Sequence, residues 1–182
     1  MPAELPRGVR LGVDVGTVRI GVAASDPDGL VATPVRTVAR AADGPGERRP
    51  GDLVELAEIA ADRSALVVYV GLPRHLSGAE GAASGAVRAY CGALAHAIAP
   101  VPVRLVDERL STVTAHQALH AAGRSGRRHR AVVDQAAAVV ILQSAIDAER
   151  ATGARVGELV PPDEGADPDR AIRGDDGRRG RD

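Results

Sequence analysis

The apolar residues of this chain change their period once, near residue 53, and that change limits the folds open to it. Before it, Val9, Leu11, Val13 and Val15 alternate with Arg10, Gly12 and Asp14, which puts an apolar face on one side of a strand. Gly16 and Thr17 break the run, and Arg19 to Ala24 reads as a second strand, so the pair forms a tight hairpin. Residues 30–39 give a third, β-branched run whose Pro34 fits an edge position or a bulge. Residues 40–52, rich in Gly, Pro, Arg and Asp, read as a surface loop.

Beyond the loop, Leu53, Leu56, Ala57 and Ala60 recur at helical spacing, with Asp52 as the expected N-cap. Leu66 to Val70 reads as a short strand ended by Gly71-Leu72-Pro73. Ser77-Gly78-Ala79-Glu80 has capping-box spacing and predicts a helix to about Ile98. Val103 to Asp107 is a further strand, and Ser111 opens a helix to about Ala122, closed by Gly123. A basic loop over 123–130 leads into a helix from Ala131 to Arg150 that is apolar on nearly every side, hence buried. Three leading strands followed by alternating helices and strands describe an α/β domain, a mixed sheet flanked by helices. The chain has 182 residues, and at about 150 residues per domain this predicts one domain over 1–160. Residues 161–182, dominated by Asp, Gly, Pro and Arg, read as a disordered charged tail.

Charge and ring content narrow the partners. The formal balance is 23 − 24 = −1, so no global basic field advertises nucleic acid. All 23 basic residues are arginine, and Tyr69 and Tyr90 are the only aromatic rings besides histidine. A platform stacking successive bases is therefore nearly excluded, and any nucleic acid is held mainly through its phosphates and backbone shape, to which the bidentate arginine fork is suited. Cys91 is the single cysteine, which rules out an internal disulfide and a cysteine-rich zinc site. The N-terminus carries no secretory pattern, and no apolar run reaches the ~18 residues that a membrane span requires. The expectation is a cytoplasmic protein without a membrane partner.

Three acids stand where acids are unexpected. Asp14 lies inside a strand between Gly12 and Gly16 on its own face, which leaves room for a ligand to approach its carboxylate. It either bonds the amides of the Gly16-Thr17 turn or helps form a metal or phosphate site. Asp107 and Glu108 sit at the carboxyl end of a strand, where open sheets collect ligands. They point to opposite faces if the strand continues, and the sequence leaves open which of them looks into a site. Asp134 falls in the first turn of the last helix, where an acid suits the helix dipole but apolar neighbours make a lone carboxylate costly. Three carboxylates and no Cys/His cluster suit a hard divalent cation, Mg2+ or Mn2+, of the kind that activates water for phosphodiester hydrolysis. His116 and His120, four apart on a helix, lack a third ligand nearby in sequence and read as surface residues. Arg124, Arg127, Arg128, His129 and Arg130 precede Asp134 and are either a solvated connection or a grip on a phosphate backbone. The loop from Gly71 to Gly78, with Arg74 and His75 exposed, either touches substrate or simply turns the chain.

The runs Asp14-Val15-Gly16-Thr17-Val18-Arg19-Ile20-Gly21-Val22-Ala23, Val70-Gly71-Leu72-Pro73, Asp107-Glu108-Arg109-Leu110-Ser111-Thr112 and Val133-Asp134-Gln135-Ala136-Ala137-Ala138 occur in that order. Over residues 8–150 the chain resembles the YqgF-type, or RuvX-like, pre-16S rRNA nuclease family, also described as Holliday junction resolvases. The resemblance implies a ribonuclease-H-like fold and a metal-dependent nuclease acting at the 5′ end of pre-16S rRNA. It implies Asp14, Glu108 and Asp134 as the catalytic, metal-holding carboxylates, which selects Glu108 over Asp107 by analogy. Its motif positions Thr17, Arg19, Arg109, Ser111 and Thr112, with Arg124, Arg127, Arg128 and Arg130 of the basic loop, are the expected substrate contacts. The partner is structured RNA, with possible association to a ribosomal precursor, and branched DNA is the alternative. The chain departs from the family in having arginines where members often carry lysine before the last aspartate, and Ser77 where Asp or Asn commonly precedes Gly78. Two readings of other classes remain: an actin-like ATP-binding domain, which shares the Asp-x-Gly-Thr run but needs a second domain, and a non-catalytic RNA-binding module.

Overall fold

The computed structural model describes residues 5–41, 50–74, 80–108 and 127–163, and of residues 127–133 the backbone. Strands β1 (Arg10–Val15), β2 (Arg19–Ser25) and β3 (Ala32–Ala39) form an antiparallel meander. Then come α1 (Gly51–Asp62), β4 (Val67–Leu72), α2 (Ala82–Ala97), β5 (Val103–Asp107), α3 (Arg127–Thr152) and β6 (Glu158–Val160). The sheet order is β3-β2-β1-β4-β5-β6, with β4 parallel to both β1 and β5, and β6 antiparallel to β5. This is the expected mixed α/β sheet. Pro34 lies on the edge strand, beside a bulge at Val22/Ala23, so both of its sequence readings hold.

Alternation sorts each strand between two layers. Leu11, Val13, Ile20, Val22, Val38, Val68, Val70, Val103 and Leu105 join Leu53, Leu56, Val87, Cys91 and Leu94 of α1 and α2 in the larger core. The opposite face carries Ala23, Val67 and Tyr69, which pack on Ala138, Leu142, Ala145 and Ile146 of α3. On that face Gly12, Gly21 and Gly71 leave room for α3 to press directly on the sheet. A Cβ added to Gly12 would stand 2.8 Å from the Ala138 carbonyl oxygen.

Far from the carboxyl ends of the strands, α3 is fastened by ions. Glu149, 2% exposed, accepts from Arg10 Nε at 3.1 Å, from Arg155 Nη1 at 2.6 Å and from the Tyr69 hydroxyl. Burial and the Glu149 carboxylate push the Tyr69 hydroxyl up, so it remains a donor. Removing one partner of a buried pair strands the other charge in a medium that cannot solvate it. Glu149→Ala is accordingly expected to cost about 3–5 kcal/mol, and Tyr69→Phe about 1 kcal/mol, as read from urea unfolding midpoints.

Several boundaries differ from the sequence reading. Pro50, not Asp52, holds the N-cap position of α1. Asp52 lies buried in the first turn, where its Oδ2 accepts from the Ala41 amide at 3.1 Å, tying the end of β3 to the helix. Helix α2 begins at Ala82 after Gly81 with no side-chain cap. Glu80 is not the closing member of a capping box, because Arg74 and Arg88 hold its carboxylate. Strand β4 runs on through Gly71 and Leu72. Helix α3 starts at Arg127, so Arg127–Arg130 are helical rather than loop, and Asp134 lies beyond the first turn. The helix is also less uniformly buried than expected, since Arg150 and Asp147 reach solvent. Strand β6 had no counterpart in the sequence reading. The predicted helix 111–122 and most of the proposed tail lie outside the described residues.

Candidate active site

Asp14 is the fifth residue of β1 and faces α3, directly across the ladder from Gly21 of β2. The helix meets the sheet at that point: a Cβ on Gly21 would overlap the Asp134 carbonyl oxygen. One glycine therefore lets the main chain of the third acid sit against the cross-strand partner of the first. Gln135, the next residue, donates from Nε2 to Thr37 Oγ1 at 3.1 Å and ties this turn of α3 to β3.

The register also sends Asp107 and Glu108 to opposite faces. Asp107 pairs across β4 with Leu72 and Val106 with Gly71, and the alternation that sends Val106 toward α3 sends Glu108 the same way. Glu108 lies over Gly71, where a Cβ would stand 2.9 Å from its Oε1 and 2.6 Å from Ile141 Cδ1 of α3. Glu108 is thus on the Asp14 side of the sheet, as the family resemblance implies. Burial first, then Asp14 and Asp107, push its carboxyl up from 4.5 to about 7. Asp107 leans instead toward Arg74, whose Nε lies 3.9 Å from its Oδ2.

Asp134 is half-buried, and its Oδ2 is a buried oxygen without a hydrogen-bond partner. Burial raises its carboxyl, partly offset by the Arg19 guanidinium. Arg19 opens β2, and Thr17 lies exposed in the turn before it. That turn is braced by the Gly16 amide donating to the Arg19 carbonyl at 2.9 Å and by Arg40, whose Nη1 donates to the Gly16 carbonyl at 3.0 Å. Arg40 also lies over the Tyr90 ring, 4.5 Å from its centroid.

Asp14, Glu108 and the Asp134 turn thus share one face of the sheet at its carboxyl end. Among the described residues no three His, Cys, Asp or Glu side chains are gathered closely enough to enclose an ion. The donor chemistry still fits a hard cation, since Mg2+ is commonly held by one or two carboxylates with substrate phosphate and water completing its shell. A carboxyl raised by burial and by neighbouring carboxylates, and another with an orphaned buried oxygen, are what a cation relieves. Arg109, Ser111, Thr112, His116, His120 and Arg124 lie outside the described residues, and Arg127, Arg128 and Arg130 are placed by backbone alone, in the opening turn of α3. Sequence reasoning missed Arg40, whose signal was its place at the end of β3 opposite the hairpin turn. It also read Arg74 as exposed, whereas only 29% of its side chain reaches solvent and its Nη2 lies 3.1 Å from Glu80 Oε1.

The RuvX family, described as "Holliday junction resolvase", matches residues 8–148, a span that includes Asp14, Glu108 and Asp134. The chain belongs to the RuvX family. A relative from Nocardioides sp. (strain ATCC BAA-499 / JS614), named "Putative pre-16S rRNA nuclease", is 56% identical over 158 residues, covering 84% of this chain and 96% of its own. Proteins of the same name from Streptomyces coelicolor and Thermobifida fusca are each 52% identical, over 86% and 84% of this chain and 90% and 96% of theirs. Among solved structures, "T. thermophilus RuvC in complex with Holliday junction substrate" superposes with a TM-score of 0.52 at 16% identity, covering 81% of this chain and 98% of that one. The RuvX chain therefore has the ribonuclease-H-like fold, and its family places it among hydrolases acting on phosphodiester bonds. The actin-like reading gives way, because the family match continues past the Asp-x-Gly-Thr run through both later acids.

Proposed function

We propose that this RuvX protein is a divalent-metal-dependent endonuclease that cuts structured RNA, at the 5′ end of the pre-16S rRNA precursor. The observation that carries the reading is Glu108 half-buried on the Asp14 side of the sheet, where burial first and then the Asp14 carboxylate raise its carboxyl to about 7. A surface meant only to bind phosphate gains nothing from crowded carboxylates, which speaks against a non-catalytic RNA-binding module. Asp14, Glu108 and Asp134 would hold Mg2+ or Mn2+. When bound, such an ion activates water and stabilises charge on the leaving oxygen. The protein's own share is positional. The strand fixes Asp14, the register aims Glu108 to the same side, and the Gly21 contact seats Asp134. Arg19 and Thr17 on the braced turn, with Arg109, Ser111, Thr112, Arg124, Arg127, Arg128 and Arg130, would draw the phosphate backbone across these acids. The setting is the cytoplasm, on a ribosomal precursor; among the described residues no helix is long and apolar enough to cross a membrane.

The expected result is cleavage of a pre-16S RNA fragment with Mg2+ or Mn2+ and none with chelator. Cleavage unaffected by chelator would sink the metal assignment. The family description and the fold shared with RuvC favour one second reading, resolution of four-way DNA junctions. A junction assay run beside the RNA assay separates the two, and symmetric nicking of the junction without RNA cleavage would replace the first reading.

A further inference from the structure

Strand β4 lies between β1, which carries Asp14, and β5, which leads to Glu108. Its chain leaves the sheet through Pro73 and presents Arg74 at the carboxyl edge, where open sheets bind ligands. The Arg74 side chain is held on one side by Glu80, with Nη2 to Oε1 at 3.1 Å. Glu80 is itself held: Arg88 donates Nε and Nη2 to its two oxygens at 2.8 and 2.7 Å, and binds Glu158 of β6 at 2.8 and 2.9 Å. Arg88 thus anchors Glu80 to the opposite edge of the sheet, and Glu80 fixes the fork of Arg74.

One donor of the Arg74 fork is unused among the described residues. Nε is buried with no hydrogen-bond partner, and Asp107 Oδ2 is 3.9 Å away, beyond hydrogen-bond length. A buried charged donor left unmade costs free energy that an incoming acceptor recovers. Arg74 also lines a cavity of about 610 Å³ together with Asp107, Glu108, Leu72, Ile141 and Ala145. A cation with a spare donor therefore stands in the same cavity as one of the proposed catalytic acids. The planar guanidinium matches the oxygens of a phosphate in geometry, so its spare Nε–H suits a backbone phosphate brought into this cavity.

We propose that Arg74 is a substrate-binding residue of this nuclease, contacting a phosphate of the nucleic-acid backbone beside Glu108, with Glu80 and Arg88 as its positioning residues. The proposal rests on the nuclease reading, and the test reads binding rather than cleavage. Affinity for a structured RNA hairpin and for a four-way DNA junction is measured in chelator between low and moderate salt. Each phosphate contact contributes about 0.9 to the slope of log affinity against log salt on a duplex. Arg74→Gln is expected to lower that slope by about 1 and to weaken binding. Arg74→Lys is expected to keep the slope, because the charge remains. Glu80→Gln, which frees the fork without removing its charge, is expected to weaken binding several-fold with the slope kept. Arg36→Gln, at an exposed pair with Glu55 on the α1 side, is the control and should change neither. An Arg74→Gln slope equal to wild type overturns the inference while leaving the nuclease reading intact. Wild type that binds neither probe overturns both, and a slope loss on the junction alone supports Arg74 while removing RNA as substrate.

Discussion

Asp14→Asn is expected to abolish metal-dependent cleavage, by about 10³-fold or more, while making the metal-free protein more stable above neutral pH. The loss follows from the carboxylate's place: an ion held here would supply several kcal/mol of transition-state stabilisation, and about 4 kcal/mol is 10³-fold in rate. The gain in stability has the opposite origin. Glu108 binds its proton more tightly in the folded chain than in the unfolded one, where its value is the ordinary 4.5. Its contribution to stability is therefore full below pH 4.5 and is lost as pH rises through about 7. Burial is the largest cause and Asp14 the second, so Asn at position 14 lowers the Glu108 value without restoring it fully. Thermal melts in chelator at pH 5 and pH 8 are expected to show wild type losing stability across that interval. Asp14→Asn should lose less, and Glu108→Gln least. Melts in which all three fall equally would show that the two carboxyls do not repel one another in the folded protein, and the paired-acid site would lose its electrostatic basis.

What could be seen in the sequence divides along a physical line. Period-two alternation from Val9 to Val15 is enough to set the face of Asp14, because one buried face dictates the other. Choosing Glu108 over Asp107 needed the register with β4, and no property of the tripeptide Asp107-Glu108-Arg109 contains it. The start of α3 was misplaced because Arg127 to Arg130 look like a solvated run by charge, although arginine is a good helix former. The spacing of Ser77 and Glu80 predicts a helix start that the structure puts at Ala82, and tertiary contacts with Arg74 and Arg88 hold the Glu80 carboxylate instead. Strand β6 is three residues long and exists only because β5 offers an open edge to Glu158, Leu159 and Val160. Asp14, Glu108 and Asp134 were thus visible as unusual acids, whereas what seats them, Gly21 and the opening of α3, lies in backbone contact between distant segments.

That backbone contact yields the second large effect. Gly21→Ala is expected to destabilise the protein by about 3 kcal/mol, at the upper end for an added methyl group, because the clash is with main chain rather than with a side chain that can turn aside. The helix must lift off the sheet at Asp134, and Ala138, pressed on Gly12 one turn later, resists the movement and leaves the tilt local. A displacement of about 1 Å at a catalytic group can cost about 10²-fold in rate, so cleavage should fall by that order even at a temperature where the variant is folded. The same substitution has the opposite sign on α2, where a Cβ at Gly85 meets nothing within 4 Å. Gly85→Ala, exposed in a helix interior, is expected to raise stability by about 0.5–1 kcal/mol and to leave cleavage unchanged. Urea unfolding and single-turnover cleavage of both variants separate space from propensity. If Gly21→Ala were as stable and as active as Gly85→Ala, α3 would not rest on β2 at Asp134, and the third acid would have to be sought elsewhere.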